Sequence, residues 1–204
     1  MRSPRRARTL LPVLLASLAL AASMAAPALA QTVDGNDSGL EDRLVSFASR
    51  LRFCVSIASI SVYAPTLADQ RLHAQQIVNL LEGSEGRHYI RPAAADDAFP
   101  GLMSEVAELN RRLSNDTIEA DARIRAAAAT KNVATYLEFA RDAALLSLDR
   151  RHLGDATEEL LRVYAYLAAA YERPGEATYV PGLWTVLRLF GLAEGPSERL
   201  EKAP

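Results

Sequence analysis

Residues 44–62 read LVSFASRLRFCVSIASISV, and whether this stretch is helix or strand decides the fold. Leu44, Phe47, Ala48, Leu51, Cys54, Val55, Ala58 and Val62 recur at three- and four-residue spacing, the period of one helical stripe. Phe53, Ile57 and Ile60 occupy the opposite face, so the second half of this helix is apolar nearly all round. Such a helix belongs in the middle of a bundle or at a partner interface. The β-branched residues from Val55 to Val62 would also suit a buried strand. The long upstream stripe favours helix.

The same period continues downstream. Pro65 breaks the first helix and sits near the start of a second. That helix buries Ala74, Ile77, Val78 and Leu81 and stops at Gly83 and Gly86. Pro100-Gly101 opens a short helix to about Leu113. Asp116 with Glu119, and again Asp155 with Glu158, have capping-box spacing before the next two helices. Ile118, Ala122, Ala126, Ala129, Val133, Leu137, Ala140, Ala144 and Leu148 make one stripe of some 30 residues. Leu160, Tyr164, Leu167, Ala168 and Tyr171 line the helix after it. Pro174-Gly175 ends that helix, and Pro181 starts a last short one through Phe190. The expected fold is all-α: an antiparallel up-and-down bundle of about four long and two short helices.

The two halves look alike. Gly83, Tyr89 and Ile90 lead, after an insertion, to Pro100-Gly101-Leu102-Met103; Gly175, Tyr179 and Val180 lead directly to Pro181-Gly182-Leu183-Trp184. This pattern suggests duplicated helical hairpins.

Outside the helices, residues 1–30 have the form of a cleaved signal peptide. Arg2, Arg5, Arg6 and Arg8 precede an apolar run, Leu10 to Leu20, and Ala28-Leu29-Ala30 is a small-x-small cleavage triplet. A retained membrane anchor is the alternative, since Leu10 to Ala30 could just span a bilayer. Residues 31–39 are expected as a disordered leader, 40–193 as a single bundle domain and 194–204 as a flexible tail. The destination implied is the periplasm or the medium, with no stable membrane insertion after cleavage. Removing the signal leaves 19 of the 23 basic residues against all 25 acids, a formal charge near −6. Such a chain does not attract phosphate backbones, so no nucleic-acid partner is expected.

Chemistry-bearing residues are few. One Cys excludes an internal disulfide or a Cys-based metal site, and Cys54 reads as a buried, inert thiol. If its face were exposed, it could bridge two chains. Glu85-x-x-His88 and Asp149-x-x-His152 have the spacing of di-iron bundles, but neither pair projects from the middle of a predicted helix. His73, at the edge of the second helix's stripe, is the position for a metal or haem, with His88 or His152 nearby. No Cys-x-x-Cys-His, Gly-x-Ser-x-Gly or nucleotide-loop pattern occurs. No cofactor is expected in the first reading. Glu158-Glu159 are adjacent and read as a solvated face. Tyr164, Tyr166 and Tyr171 read as core, whereas Tyr89, Tyr179 and Trp184 recur beside the Gly turns.

The segment His73-Ala74-Gln75-Gln76-Ile77-Val78-Asn79-Leu80-Leu81-Glu82-Gly83 resembles one in uncharacterised exported bacterial helical proteins, with the pattern His-Ala-x-x-[Ile/Val]-[Ile/Val]-Asn-[Ile/Leu]-x-x-Gly. In those proteins an Asp-rich, calcium-loop-like turn follows; here Ser84 to Tyr89 follows, with Asp96 and Asp97 further on, so calcium ligation is not implied. The resemblance implies a kind of protein rather than an activity. It marks His73 and Asn79, which are six residues apart and so are not expected to form one site alone. Asn79 is expected to bond the following turn and Gly83 to supply a left-handed cap. Taken together, the candidate binding residues are His73, Asn79, His88, Tyr89, Tyr179 and Trp184. The expected protein is a non-enzymatic exported bundle that binds a small ligand or a protein partner, with a homo-oligomer through helix 44–63. An enzyme of unrecognised type is the remaining alternative.

Overall fold

The computed structural model describes residues 38–91, 99–115, 119–171 and 181–192. The expected signal peptide, most of the expected leader, the expected tail, Asp96, Asp97, Asp116, Ile118 and residues 174–180 lie outside the described residues. The helices are α1 (Ser38–Val62), α2 (Leu67–Glu82), α3 (Leu102–Asn115), α4 (Ala120–Asp149), α5 (Leu153–Tyr171) and α6 (Leu183–Leu189). All lie in one compact unit, Gly35–Pro204. Among the described residues the protein is an all-α helical bundle of four long and two short helices.

Two tight connections, residues 63–66 and 150–152, fold α1 on α2 and α4 on α5 as antiparallel hairpins. The hairpins interlock through α1 against α5 and α2 against α4, so the long helices run α1, α2, α4, α5 around the core. α3 lies across α4 and α1, and α6 lies against α4.

The expected stripes are the core. Leu44, Phe47, Leu51, Cys54 and Ala58 on α1 are buried, as are Ala74, Ile77, Val78 and Leu81 on α2. On α4 the stripe runs from Ala126 to Ala144 and includes the one-methyl residues Ala129 and Ala140, which let neighbouring helices approach closely. α1 is not enclosed by the bundle. It buries one stripe and leaves Val45, Phe53 and Ile60 exposed on the other side, with Tyr63 exposed just after it. By length and composition Gly39–Val62 is apolar enough to cross a membrane; here its buried stripe packs on α5, α2 and α3.

The hairpins repeat in register. α2 begins at Leu67 and α5 at Leu153, a shift of 86 residues. The same shift carries the buried α1 positions Leu44, Phe47, Leu51, Cys54, Ala58 and Ser61 onto Thr130, Val133, Leu137, Ala140, Ala144 and Ser147, all buried. On the second helices it carries Gln70, Ala74, Ile77 and Leu81 onto Ala156, Leu160, Val163 and Leu167, again all buried. The short helices α3 and α6 each begin at the Leu of a Pro-Gly-Leu triplet. The repeat is therefore carried by the helices; the second Gly turn and Tyr179 lie outside the described residues.

Three local expectations are corrected. α4 begins at Ala120, and its N-cap Glu119 makes no side-chain cap. α5 begins at Leu153, which puts Asp155 in the first turn instead of at the cap, where it still favours the positive end of the helix dipole. Glu159 is not on a solvated face: it is 3% exposed, and its carboxylate accepts from Arg150 and Arg162. The two guanidiniums compensate the buried charge, which would otherwise be strongly unfavourable.

Candidate functional site: an apolar cleft between α1 and α2

The exposed side of α1 and the neighbouring face of α2 do not meet. Between them is a cleft of about 290 Å³, at the lower end of the size range for ligand pockets. α1 contributes Phe53, Ile57 and Ile60, and α2 contributes His73, Gln76, Asn79 and Leu80. Tyr89 and Phe99 close one end, in edge contact with ring centroids 6.1 Å apart and an interplanar angle of 73°.

That end is held by polar groups that the sequence places just after α2. Asn79 Oδ1 accepts from the Ile90 amide at 3.0 Å, and Asn79 Nδ2 donates to the Ile90 carbonyl at 2.7 Å. Gln75 Nε2 donates to Asn79 Oδ1 at 2.9 Å and to the His88 carbonyl at 2.8 Å. Glu82 takes the His88 amide at 2.8 Å on one carboxylate oxygen and the His88 ring on the other, also at 2.8 Å. Burial alone would raise the Glu82 pKa, but the two His88 hydrogen bonds, with the charges of His88 and Arg141, bring it below the usual value.

Phe99 is fixed from both sides. The Ser84 backbone N–H donates to the Phe99 carbonyl, and the Ser84 hydroxyl accepts the Phe99 N–H at 3.1 Å. The Arg50 guanidinium lies 5.8 Å from the Phe99 ring centroid and donates to the Pro100 carbonyl at 2.7 Å. Arg50 also pairs with Glu105. Gly83 has φ 75° and ψ −178°, a conformation that only glycine adopts readily. It is a positive-φ cap, but an extended one and not the left-handed helical cap expected. A Cβ there would come within 2.2 Å of the Gly101 nitrogen, so the strand-like bridge from Gly83 to Pro100 requires glycine.

The structure thus brings His73, Asn79 and Tyr89 into one cleft. His73 and Asn79, not expected to form one site alone, line this cleft together with seven other residues. His73 Nδ1 lies 3.1 Å from Gln76 Oε1. His88 sits beside the cleft, with its ring on Glu82. Trp184 is elsewhere, half-buried on α6 against the core, and Tyr179 lies outside the described residues. Phe53, Ile57, Ile60, Gln76, Leu80 and Phe99 were not expected as site residues; the signal for three of them was the second apolar face of α1.

Other chemistry is accounted for by packing. Among the described residues no three of His, Cys, Asp and Glu converge, and Glu85, Asp149 and His152 are exposed. Cys54 is fully buried, and burial pushes its thiol up to about 12 despite the nearby Arg50. A second cleft of about 240 Å³ between α1 and α3 is lined by Arg43, Ser46, Glu105 and Glu108. Its carboxylates are already paired: burial raises Glu105 against the pull of Arg50, while Arg111 and Arg112 hold Glu108 down at about 2. The lining of the α1–α2 cleft is by contrast mostly apolar, as the lining of ligand pockets commonly is.

Comparison with protein-family models, with curated proteins and with solved structures finds no match.

Proposed function

We propose that this chain is an exported, non-enzymatic helical-bundle protein whose α1–α2 cleft binds a small apolar molecule. The observation that carries this reading is the cleft itself: apolar walls on two rigid helices, with one end held in place by Asn79, Glu82 and Ser84. Walls fixed before binding reduce the entropy that a ligand must overcome. Export is supported by the cationic start, the apolar run and the Ala28-Leu29-Ala30 triplet.

Two measurements test it. The full chain expressed in a bacterial host should appear outside the cytoplasm with Gln31 as its first residue; an unprocessed cytoplasmic chain contradicts export. The fluorescent probe N-phenyl-1-naphthylamine should bind this product saturably, and Ile57→Arg, which puts a charge into the cleft, should abolish the signal. Unchanged fluorescence in Ile57→Arg contradicts the cleft as the site.

A homo-oligomer through α1 is the second reading, favoured by the exposure of Phe53 (53%), Ile60 (60%) and Tyr63 (84%). Burying Phe53 between two copies would close the cleft. Under this reading a native mass of two chains, with probe binding that weakens as protein concentration rises, replaces a monomer that binds independently of concentration.

A further inference from the structure

Because the two hairpins repeat at a shift of 86 residues, each helical side chain lining the cleft has a counterpart in the second hairpin. Phe53 corresponds to Phe139, Ile60 to Leu146 and Leu80 to Tyr166. Phe53 and Phe139 are exposed to nearly the same extent, 53% and 47%. Their surroundings differ. The Tyr166 ring lies against Phe139, with centroids 5.4 Å apart and planes tilted by 52°. Where α2 has the His73–Gln76 contact, α5 has Glu159 and Arg162 joined by an ion pair at 3.0 Å. The second hairpin therefore places an aromatic ring against Phe139, and an ion pair beside it in sequence, at the positions that line the cleft in the first.

We propose that the ligand of the cleft is a small uncharged aromatic molecule of one or two fused rings, packed on Phe53 as Tyr166 packs on Phe139. This assignment rests on the reading of the cleft as a ligand site and adds the class of ligand. Three observations support it beside the repeat. Phe53, Tyr89 and Phe99 offer ring faces and edges in one small space, and aromatic rings prefer such offset or edge-on partners. The volume of about 290 Å³ suits one or two rings rather than a long chain or a peptide. Among the described residues no carboxylate, lysine or guanidinium lines the cleft, so an ionic ligand would lose hydration there without gaining a counter-charge from them.

The test compares 1-naphthol with trans-decahydro-1-naphthol, the same skeleton without aromaticity, by calorimetric titration of the whole exported chain. 1-Naphthol should bind one molecule per chain, roughly fivefold to tenfold tighter than the saturated probe. Leu80→Tyr, which gives the first hairpin the residue of the second, should remove binding while the helical circular dichroism is kept. Tyr166→Leu should open a second site and raise the stoichiometry towards two. Equal affinities for the two probes overturn the aromatic assignment and leave the cleft standing as a ligand site. Loss of saturable binding for both probes, or full binding in a folded Leu80→Tyr, overturns both. If Tyr166→Leu does not fold, the probe ratio and Leu80→Tyr still decide.

Discussion

Phe53 and Phe139 stand at the same register of two helical hairpins, 86 residues apart, with Tyr166 packed on Phe139 and the α1–α2 cleft beside Phe53. In the second hairpin the Tyr166 ring packs against Phe139, which stays 47% exposed. In the first, the loop after α2 is instead tied down so that Tyr89 and Phe99 close one end of the space, and the predictions below follow from those ties.

Gly83→Ala should destabilise the protein by about 2–4 kcal/mol, lowering Tm by roughly 5–10 °C. The new Cβ meets the backbone of Gly101 and Phe99, which cannot swing aside as a flexible side chain can, and φ of 75° disfavours any L-residue. Gly101→Ala should behave alike, because its Cβ would meet the Glu82 carbonyl carbon at 2.2 Å. Thermal denaturation checks both. Gly154→Ala, with nothing within 4 Å of its Cβ, is the control and should be neutral or slightly stabilising.

Asn79→Ala should cost about 1–3 kcal/mol, because it leaves the Ile90 N–H and C=O without their partners. The local readout is hydrogen exchange. The Ile90 amide should exchange much faster in the variant, while amides in the middle of α4 keep their protection. Unchanged exchange at Ile90 would show that Asn79 does not hold the loop.

Glu82 should titrate below its ordinary value of 4.5. Its folded pKa lies under the unfolded one, so its contribution to stability is present above about pH 4.5 and is lost as pH falls through the folded pKa. Following the Glu82 carboxyl carbon by NMR checks this. His88→Ala should move the midpoint upwards, because it removes the ring hydrogen bond and the charge while burial, which raises the pKa, remains. A midpoint at or above 4.5 in the native protein contradicts the pairing.

Cys54 should not react with a thiol reagent at pH 8 in the folded protein and should react once in denaturant. A pKa of about 12 leaves almost no thiolate, and the residue is fully buried between α1 and its neighbours. Rapid modification without unfolding would mean that α1 separates from the bundle.

Much of the fold is legible in the sequence because a 3.6-residue period survives in every long helix. The stripe of α2 is read correctly at all four positions; the α4 stripe is buried from Ala126 to Ala144, whereas Ala122 and Leu148 are half-buried and Ile118 lies outside the described residues. The site is less legible. The three apolar residues on the far side of α1 imply that something covers them, but not what; only the spatial meeting of Phe53 with Leu80 and Tyr89 makes a cleft. Asn79 is recognisable as a turn-bonding residue because its side-chain amide can accept from the N–H and donate to the C=O of a single residue, here Ile90. Glu159 is misread because its two guanidiniums come from Arg150 and Arg162, and adjacency to Glu158 says nothing about either. The repeat is sought at the Gly turns, where Tyr89 and Tyr179 are 90 residues apart, and is carried by the helices at 86. Few identities mark it, among them Leu51 with Leu137, Phe53 with Phe139, Ala58 with Ala144 and Ser61 with Ser147.

The most direct test of the cleft as the functional site is a methyl NMR titration of the folded protein with 1-naphthol. The account predicts saturable shifts concentrated on Ile57, Ile60 and Leu80, with Leu146 and Leu161 on the second hairpin unmoved. Shifts spread equally over both hairpins, or confined to α4 and α5, would contradict it.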